Sequence, residues 1–474
     1  MAFSGITDGI ARGADSLQSG VSGLFFEQNL RLGVTGLSRA GKTVFITALI
    51  ASLLNRGRML QLSAAREGRI AAVHLQPQPD MTLPRFDYEN HIAALTDEDP
   101  HWPGSTRSIS ELRLSFRTRP SGWFAGMRGP QVLHLDIVDY PGEWLLDLAL
   151  MEKDYATWSE DTLSLIAKRA PVLPEARDFL AIARAEDGAL PLEELRIQRL
   201  STAFTRYLQA ARAAGWSDCT PGRFLLPGDL AGSPVLTFAP LPEPASAPRG
   251  SLGREAAKRY EAYKDRVVTP FFRDHFSRID RQIVLMDVLG AIHNGPPAVE
   301  DLRKVMAEVL TAFRVGRGSW IGRLLGGRRV EKILFAATRA DHLHHEQHPA
   351  LTAITEALVA EARQRSEFAG AGVGALSLAS LRATVEERVE RDGQSLPAVR
   401  GRLLGSGRQV VVYPGALPPD PARILAPARS GAGAWLEDFG LMEFAPARFS
   451  LRPGEGPPHI RLDRAAEFLI GDRL

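Results

Sequence analysis

Gly36-Leu37-Ser38-Arg39-Ala40-Gly41-Lys42-Thr43 fits the spacing G-x-x-x-x-G-K-[ST]. Each residue type in it has a chemical use. Gly36 and Gly41 let the backbone close around phosphate oxygens, and successive N–H groups ahead of a helix make an anion-binding nest. Lys42 brings a cation to β- and γ-phosphates, and the Thr43 hydroxyl can ligate Mg²⁺. The phosphate-binding set read from this loop is Gly36, Ser38, Arg39, Ala40, Gly41, Lys42, Thr43 and Val44.

Three further signals each close an apolar run. Asp139-Tyr140-Pro141-Gly142 follows Gln131 to Val138. An Asp139 carboxylate there can hold Mg²⁺, and Gly142 can offer its N–H to a γ-phosphate. Thr338-Arg339-Ala340-Asp341 resembles the [NT]-K-x-D base-reading motif of GTPases, with Arg339 where lysine is usual. Asp341 would accept hydrogen bonds from the N1–H and 2-amino group of guanine, a donor pair that adenine lacks. The Arg339 guanidinium and stem can stack on a base plane, and His342 directly follows the motif. Ala379-Ser380-Leu381 stands where GTPases carry a short serine–alanine loop behind the base, in reversed order, and assigns Ser380 and Leu381 to the base pocket.

Those side chains need elements that deliver them to one edge. Asn29 to Gly36 alternates as a strand does, and Lys42 to Leu54 is apolar and free of Gly and Pro, as a helix is. Strands are expected from Glu111, over Gln131 to Val138, Gln282 to Val288, Glu331 to Thr338, Val373 to Leu381 and Gln409 to Tyr413. Helices are expected over Val299 to Phe313 and Leu351 to Arg365. Residues 60–110 read as mixed and loop-rich. The alternation predicts an α/β fold, a mainly parallel sheet with helices on both faces. Trp158 to Arg169, Ala176 to Ala185 and Leu192 to Ala214 read as amphipathic helices, and the Pro/Ala/Gly-rich stretch at 239–252 as a loop or linker.

The four pieces, in this order at strand ends, resemble the Ras-like GTPases. The spellings GLSRAGKT, WPGSTRSISELRL, VDYPGEW and ATRADH resemble the YcjX family of bacterial stress-associated P-loop GTPases, over about residues 25–415. The resemblance implies GTP and GDP as ligands with Mg²⁺, an added helical region, and a membrane-protein partner. It divides the chain into an N-terminal helical segment 1–28, a G domain of 29–144 and 281–415, an inserted helical domain 145–280, and an appended region 416–474. The first switch falls on Trp102-Pro103-Gly104-Ser105-Thr106-Arg107, where Thr106, or else Ser105, would reach the metal. Arg107 is either an arginine finger supplied in cis or a solvated surface arginine. Glu143 takes the place of a glutamine that orients the attacking water. With Lys42 and Arg107 it completes the catalytic set, and its negative charge near the γ-phosphate implies slow turnover.

Composition constrains the alternatives. Of 474 residues, 45% are hydrophobic and 24% charged, ordinary for a globular chain, and the net charge of +2 does not point to nucleic acid. The single Cys219 excludes an intrachain disulfide. No transmembrane run or signal peptide is expected, so the protein is expected in the cytoplasm. Two segments suggest peripheral contact at the inner membrane, the weakly amphipathic N-terminus and the basic run Arg314 to Arg329. A helix packed on its own domain and a basic loop are the plainer readings of these. His342, His344, His345 and Glu346 lie close together but lack a recognised metal-ligand spacing. A switch GTPase is the leading expectation. A P-loop ATPase or kinase, and a nucleotide-locked interaction module, are the alternatives.

Overall fold

The structure, a computed structural model, describes residues 27–37, 39–104, 108–119, 131–242, 248–311, 330–367, 370–391, 393–431, 435–436 and 439–474. The expectations for Met1 to Ser19, Ser38, Ser105, Thr106, Arg107 and Arg314 to Arg329 lie outside the described residues.

Strand β1 (Glu27–Gly36) runs into the glycine loop and helix α1 (Lys42–Asn55). Residues expected to be loop-rich contain two elements, the edge strand β2 (Ile70–Gln76) and helix α2 (Tyr88–Thr96). Strands β3 (Ser110–Thr118) and β4 (Gln131–Asp139) follow. After a helical stretch come β5 (Arg281–Met286), β6 (Lys332–Ala337) and β7 (Gly372–Ser377). The seven strands make one sheet in the order β2-β3-β4-β1-β5-β6-β7. β1, β4, β5, β6 and β7 are mutually parallel, while β2 and β3 pair antiparallel at one edge. β1 lies at the centre, where the chain's path across the sheet reverses. In an open α/β sheet such a reversal opens a crevice at the strands' carboxyl ends.

Period-two alternation splits the strand side chains between two cores. Ile283 and Leu285 of β5 and Leu334 and Ala336 of β6 join Phe45, Ile46 and Leu49 of α1 on one face. Val284, Met286, Ile333, Phe335 and Ala337 enter the other core. That second core is continuous with the helical stretch, which contains α3 (Tyr155–Arg169), α4 (Pro174–Ala185), α5 (Glu194–Ala213) and α6 (Leu252–Tyr263). In α4 the buried residues Ala176, Phe179, Leu180 and Ala183 follow helical spacing. Trp158 stacks on Tyr260 with ring centroids 4.9 Å apart and meets Phe238 edge-on at 5.5 Å. Helices α7 (Pro296–Thr311) and α8 (His348–Glu367) complete this layer.

Several local expectations change. The 239–252 stretch does not begin as a free linker. Ala239 and Leu241 are buried, and the Tyr155 hydroxyl donates to the Ala239 carbonyl at 2.7 Å. The strand expected to reach Val288 ends at Met286, because the Asp287 side chain caps a helix at Val288–His293, accepting from the Gly290 N–H at 2.9 Å. The strand expected to reach Leu381 ends at Ser377 and leaves Ser380 and Leu381 in a turn. A second, antiparallel sheet of β8 (Thr384–Arg391), β9 (Gln394–Arg402) and β10 (Gln409–Val412) follows. Part of 416–474, read from sequence as appended, packs against the sheet. Helix α9 (Leu462–Ile470) places Leu462, Ala465, Ala466 and Leu469 in the core that holds α1. Arg281 at the start of β5 is buried and is paired with Asp472 and Glu331.

Candidate nucleotide site

The loop after β1 turns in a way few residues allow. Arg39 and Gly41 both have left-handed backbone, at φ 65° and 74°. Gly41 is the N-cap of α1 and has no side chain of its own to offer the first N–H groups of that helix. Such an end attracts anions.

A pocket of about 340 Å³ opens over this loop. It brings together Gly36, Arg39, Ala40, Gly41, Lys42, Thr43 and Val44 at one end and Thr338, Arg339, Asp341, His342, Ser380 and Leu381 at the other. Trp102 and Glu143 also line it. Its size suits a nucleotide-sized ligand. Asp139 and Gly142 lie beneath rather than on the wall. Lys42 Nζ sits 2.6 Å from Asp139 Oδ1. Asp139 is fully buried, and its Oδ2 has no hydrogen-bond partner among the described residues. A buried carboxylate oxygen left unpaired is costly, and a carboxylate oxygen is a hard donor of the kind Mg²⁺ takes. Gly142 is pressed on the loop, where an added Cβ would stand 2.7 Å from the Gly36 carbonyl oxygen.

At the far end of the pocket, Asp341 is buried and the Ala383 N–H donates to its Oδ2 at 2.7 Å. That bond points the carboxylate and uses one of its about four acceptor positions. Arg339 has left-handed backbone, and its guanidinium is paired with Asp287. Burial lowers its pKa. His342 is buried and held below its ordinary pKa by desolvation, with its ring edge-on to Phe444 at 5.0 Å. The Trp102 indole donates to the Phe444 carbonyl at 2.8 Å.

Sequence reasoning missed Phe444, Glu443, Leu404 and Arg212, all of which line the pocket. No motif marks them. His344, His345 and Glu346 form the one metal-sized cluster among the described residues. Glu346 is bound by Arg388 at 2.6 Å and His345 by Glu386 at 2.6 Å, so the cluster is satisfied as ion pairs.

The segment after Gly142 is buried under the helical stretch. Glu143, Trp144, Leu145, Leu146 and Asp147 are all buried. Arg212 Nη2 of α5 lies 3.0 Å from Glu143 Oε1. The Arg223 guanidinium covers the Trp144 ring, 3.3 Å from its centroid. Asp147 accepts from the Gly222 N–H at 2.7 Å and from the Tyr263 hydroxyl at 2.5 Å. Burial pushes its carboxyl up to about 7 against those hydrogen bonds.

A phosphate-loop geometry at the central strand of a mainly parallel sheet defines an α/β P-loop protein of the Ras-like type. Residues 30–474 match the model of the YcjX-like family, and the chain belongs to that family. It is 37% identical over 462 residues to the Ras-like GTPase YcjX of Escherichia coli (strain K12), covering 94% of this chain and 96% of that one. It is 33% identical over 474 residues to the Ras-like GTPase YcjX of Shewanella oneidensis, covering 94% and 95%.

Proposed function

We propose that the protein binds GTP and GDP with Mg²⁺ and hydrolyses GTP slowly, as a nucleotide-dependent switch. The observation that carries this reading is the pocket itself, with Lys42 and Thr43 at one end and a buried Asp341 at the other. The relatives' name, Ras-like GTPase, supports it. Gly36 to Val44 hold the phosphates. Thr43 and Asp139 hold Mg²⁺, joined by Thr106, and the ion when bound neutralises charge on the β- and γ-phosphates. Gly142 senses the γ-phosphate and Glu143 orients water. Trp102, Phe444 and His342 enclose the base that Asp341 reads, with Thr338, Ser380 and Leu381 around it. Residues 29–144 and 281–415 act as the G domain, to which 416–474 contribute α9 and Phe444, and 145–280 act as its helical insertion.

Among the described residues no helix is long and apolar enough to cross a membrane. We place the protein in the cytoplasm, with peripheral contact at the inner membrane, where it meets a membrane-protein partner.

Asp341→Asn tests the base. The carboxylate's two hydrogen bonds to guanine are each worth about 1.5–3 kcal/mol. The amide turns one acceptor into a donor, which repels the 2-amino group and suits the carbonyl of xanthine. GTP and GDP binding should weaken by about one to two orders of magnitude per lost bond, and XTP binding should improve. Calorimetry giving the parent equal affinity for ATP and GTP, with the variant indifferent to the base, refutes the reading in favour of an ATPase.

A further inference from the structure

Arg212 belongs to the helical stretch and yet lines the nucleotide pocket. It projects from the last turn of α5, and its side chain is 24% exposed. It also lines two adjoining cavities. One, of about 850 Å³, is shared with Arg39 and Ser108, and the other, of about 360 Å³, with Glu143 and Arg339. Its guanidinium therefore sits where the phosphate loop, the segment after Gly142 and the helical insertion meet.

Its partner is the residue next to Gly142. The Glu143 carboxylate is almost wholly buried, and Arg212 Nη2 approaches one of its oxygens at 3.0 Å. The contact is an ion pair of imperfect direction. Glu143 Oε1 and Arg212 Nε each lack a well-formed hydrogen bond among the described residues. A buried charge pair that leaves donors and acceptors unspent is poorly rewarded for its desolvation. Another ligand with more oxygens can compete for that arginine.

We propose that Arg212 is a catalytic residue, delivered by the insertion to the γ-phosphate and held by Glu143 until GTP arrives. This rests on the GTPase reading above. In hydrolysis a water oxygen bonds to the γ-phosphorus while the bond from phosphorus to the β–γ bridging oxygen breaks. GDP and inorganic phosphate leave, and the water's protons end on phosphate and solvent. Negative charge on the equatorial and bridging oxygens is what a guanidinium fork stabilises. When Arg212 turns from Glu143 to those oxygens, two changes occur together. The phosphate gains a cation, and the Glu143 carboxylate is freed to accept a hydrogen bond from water. While the pair is closed, neither group is available, which also accounts for a slow basal rate. In the closed arrangement Arg212 neutralises Glu143, and once it has turned its charge still lies between the glutamate and the phosphate oxygens.

The experiment measures GDP affinity and single-turnover GTP hydrolysis, with Mg²⁺, for the full chain and for Arg212→Ala and Arg212→Lys. An arginine acting on the γ-phosphate is worth about 10³–10⁵ in rate. Arg212→Ala should keep GDP affinity within about threefold and lose on the order of 10³ in rate, and Arg212→Lys should fall between. Aluminium fluoride should tighten GDP binding to the parent and not to Arg212→Ala. A purely structural arginine would leave that fluoride response intact. Hydrolysis by Arg212→Ala within about threefold of the parent overturns the proposal, as does a parent that binds GTP without hydrolysing it. If Arg212→Ala fails to fold, Arg212→Lys decides: full rate overturns it, and at least about tenfold slower hydrolysis with unchanged GDP affinity supports it. A parent that binds no GTP instead removes the GTPase reading itself.

Discussion

Replacing Asp147 by Asn should change how stability depends on pH. Asp147 follows the Gly142 segment, is fully buried, and is held by the Gly222 N–H and the Tyr263 hydroxyl, with the Arg223 guanidinium near. Burial raises its carboxyl from 3.8 to about 7. A carboxyl whose folded value exceeds its unfolded value binds a proton more tightly when folded, so its stabilising contribution is complete below about pH 4 and is lost as pH rises through about 7. One pKa unit corresponds to about 1.4 kcal/mol. The full shift is then worth about 4 kcal/mol, of which about 3 kcal/mol is lost between pH 5 and pH 8. Asn is neutral throughout, so Asp147→Asn removes this dependence. Its amide adds a donor that must find a partner, at a cost of about 1 kcal/mol at acid pH. Urea unfolding of both proteins at several pH values measures the difference. The parent should be the more stable only near or below pH 4, and the variant should draw ahead above about pH 5 and lead by about 3 kcal/mol near pH 8. Glu308, whose carboxyl burial also raises to about 7, contributes equally to both proteins and cancels. A difference constant within about 1 kcal/mol across this range refutes the reasoning about the buried Asp147.

Lys42→Ala removes the cation that is paired with Asp139 and that we propose binds the phosphates, and should abolish GDP and GTP binding in calorimetry. Parent-like affinity would show that the phosphates lie elsewhere. Gly222→Ala would place a Cβ 2.4 Å from the Glu143 carbonyl oxygen. Overpacking against backbone should cost about 1–3 kcal/mol in urea unfolding and disturb hydrolysis through Glu143. An unchanged unfolding midpoint would mean that the contact gives way freely.

What could be read from sequence follows from how local each determinant is. Gly36 to Thr43 is contiguous, and its strand, turn and helix are set by neighbouring residues, so both motif and elements were legible. Asp139, Asp341 and Ser380 were legible because each stands at or just beyond a strand whose apolar alternation is visible. Arg212 was not, because on an amphipathic helix it reads as one more solvated arginine, and only the fold places it against Glu143. Phe444 lies in irregular chain far beyond Asp341, and its approach to His342 is purely tertiary. The β8–β9 hairpin escaped notice because TVEERVER has few apolar residues and only a shallow core. Helix α9 shows an apolar stripe in sequence, but nothing local says that it closes the face beside α1.

The place of the insertion has an energetic consequence for any switch. Trp144, Leu145 and Leu146 share a core with Tyr260, Tyr263 and Phe271, and Trp144 meets Phe271 edge-on at 5.4 Å. Fully burying a large apolar side chain is worth about 1.5–3 kcal/mol, so peeling these three from the helices around Tyr260, Tyr263 and Phe271 costs on the order of 5–9 kcal/mol. The Arg223 contact and the Asp147 bonds add to that. A γ-phosphate can offer Gly142 one charge-assisted hydrogen bond, worth about 1.5–3 kcal/mol. That gain cannot strip the segment from the helices beneath it. If Gly142 moves when the γ-phosphate arrives, residues 143–147 and the helices clasping them must therefore move together, and Arg212 travels with them. The insertion is then the part of the molecule that reports the nucleotide state, and the Gly222 contact with Glu143 is the point at which the two are joined.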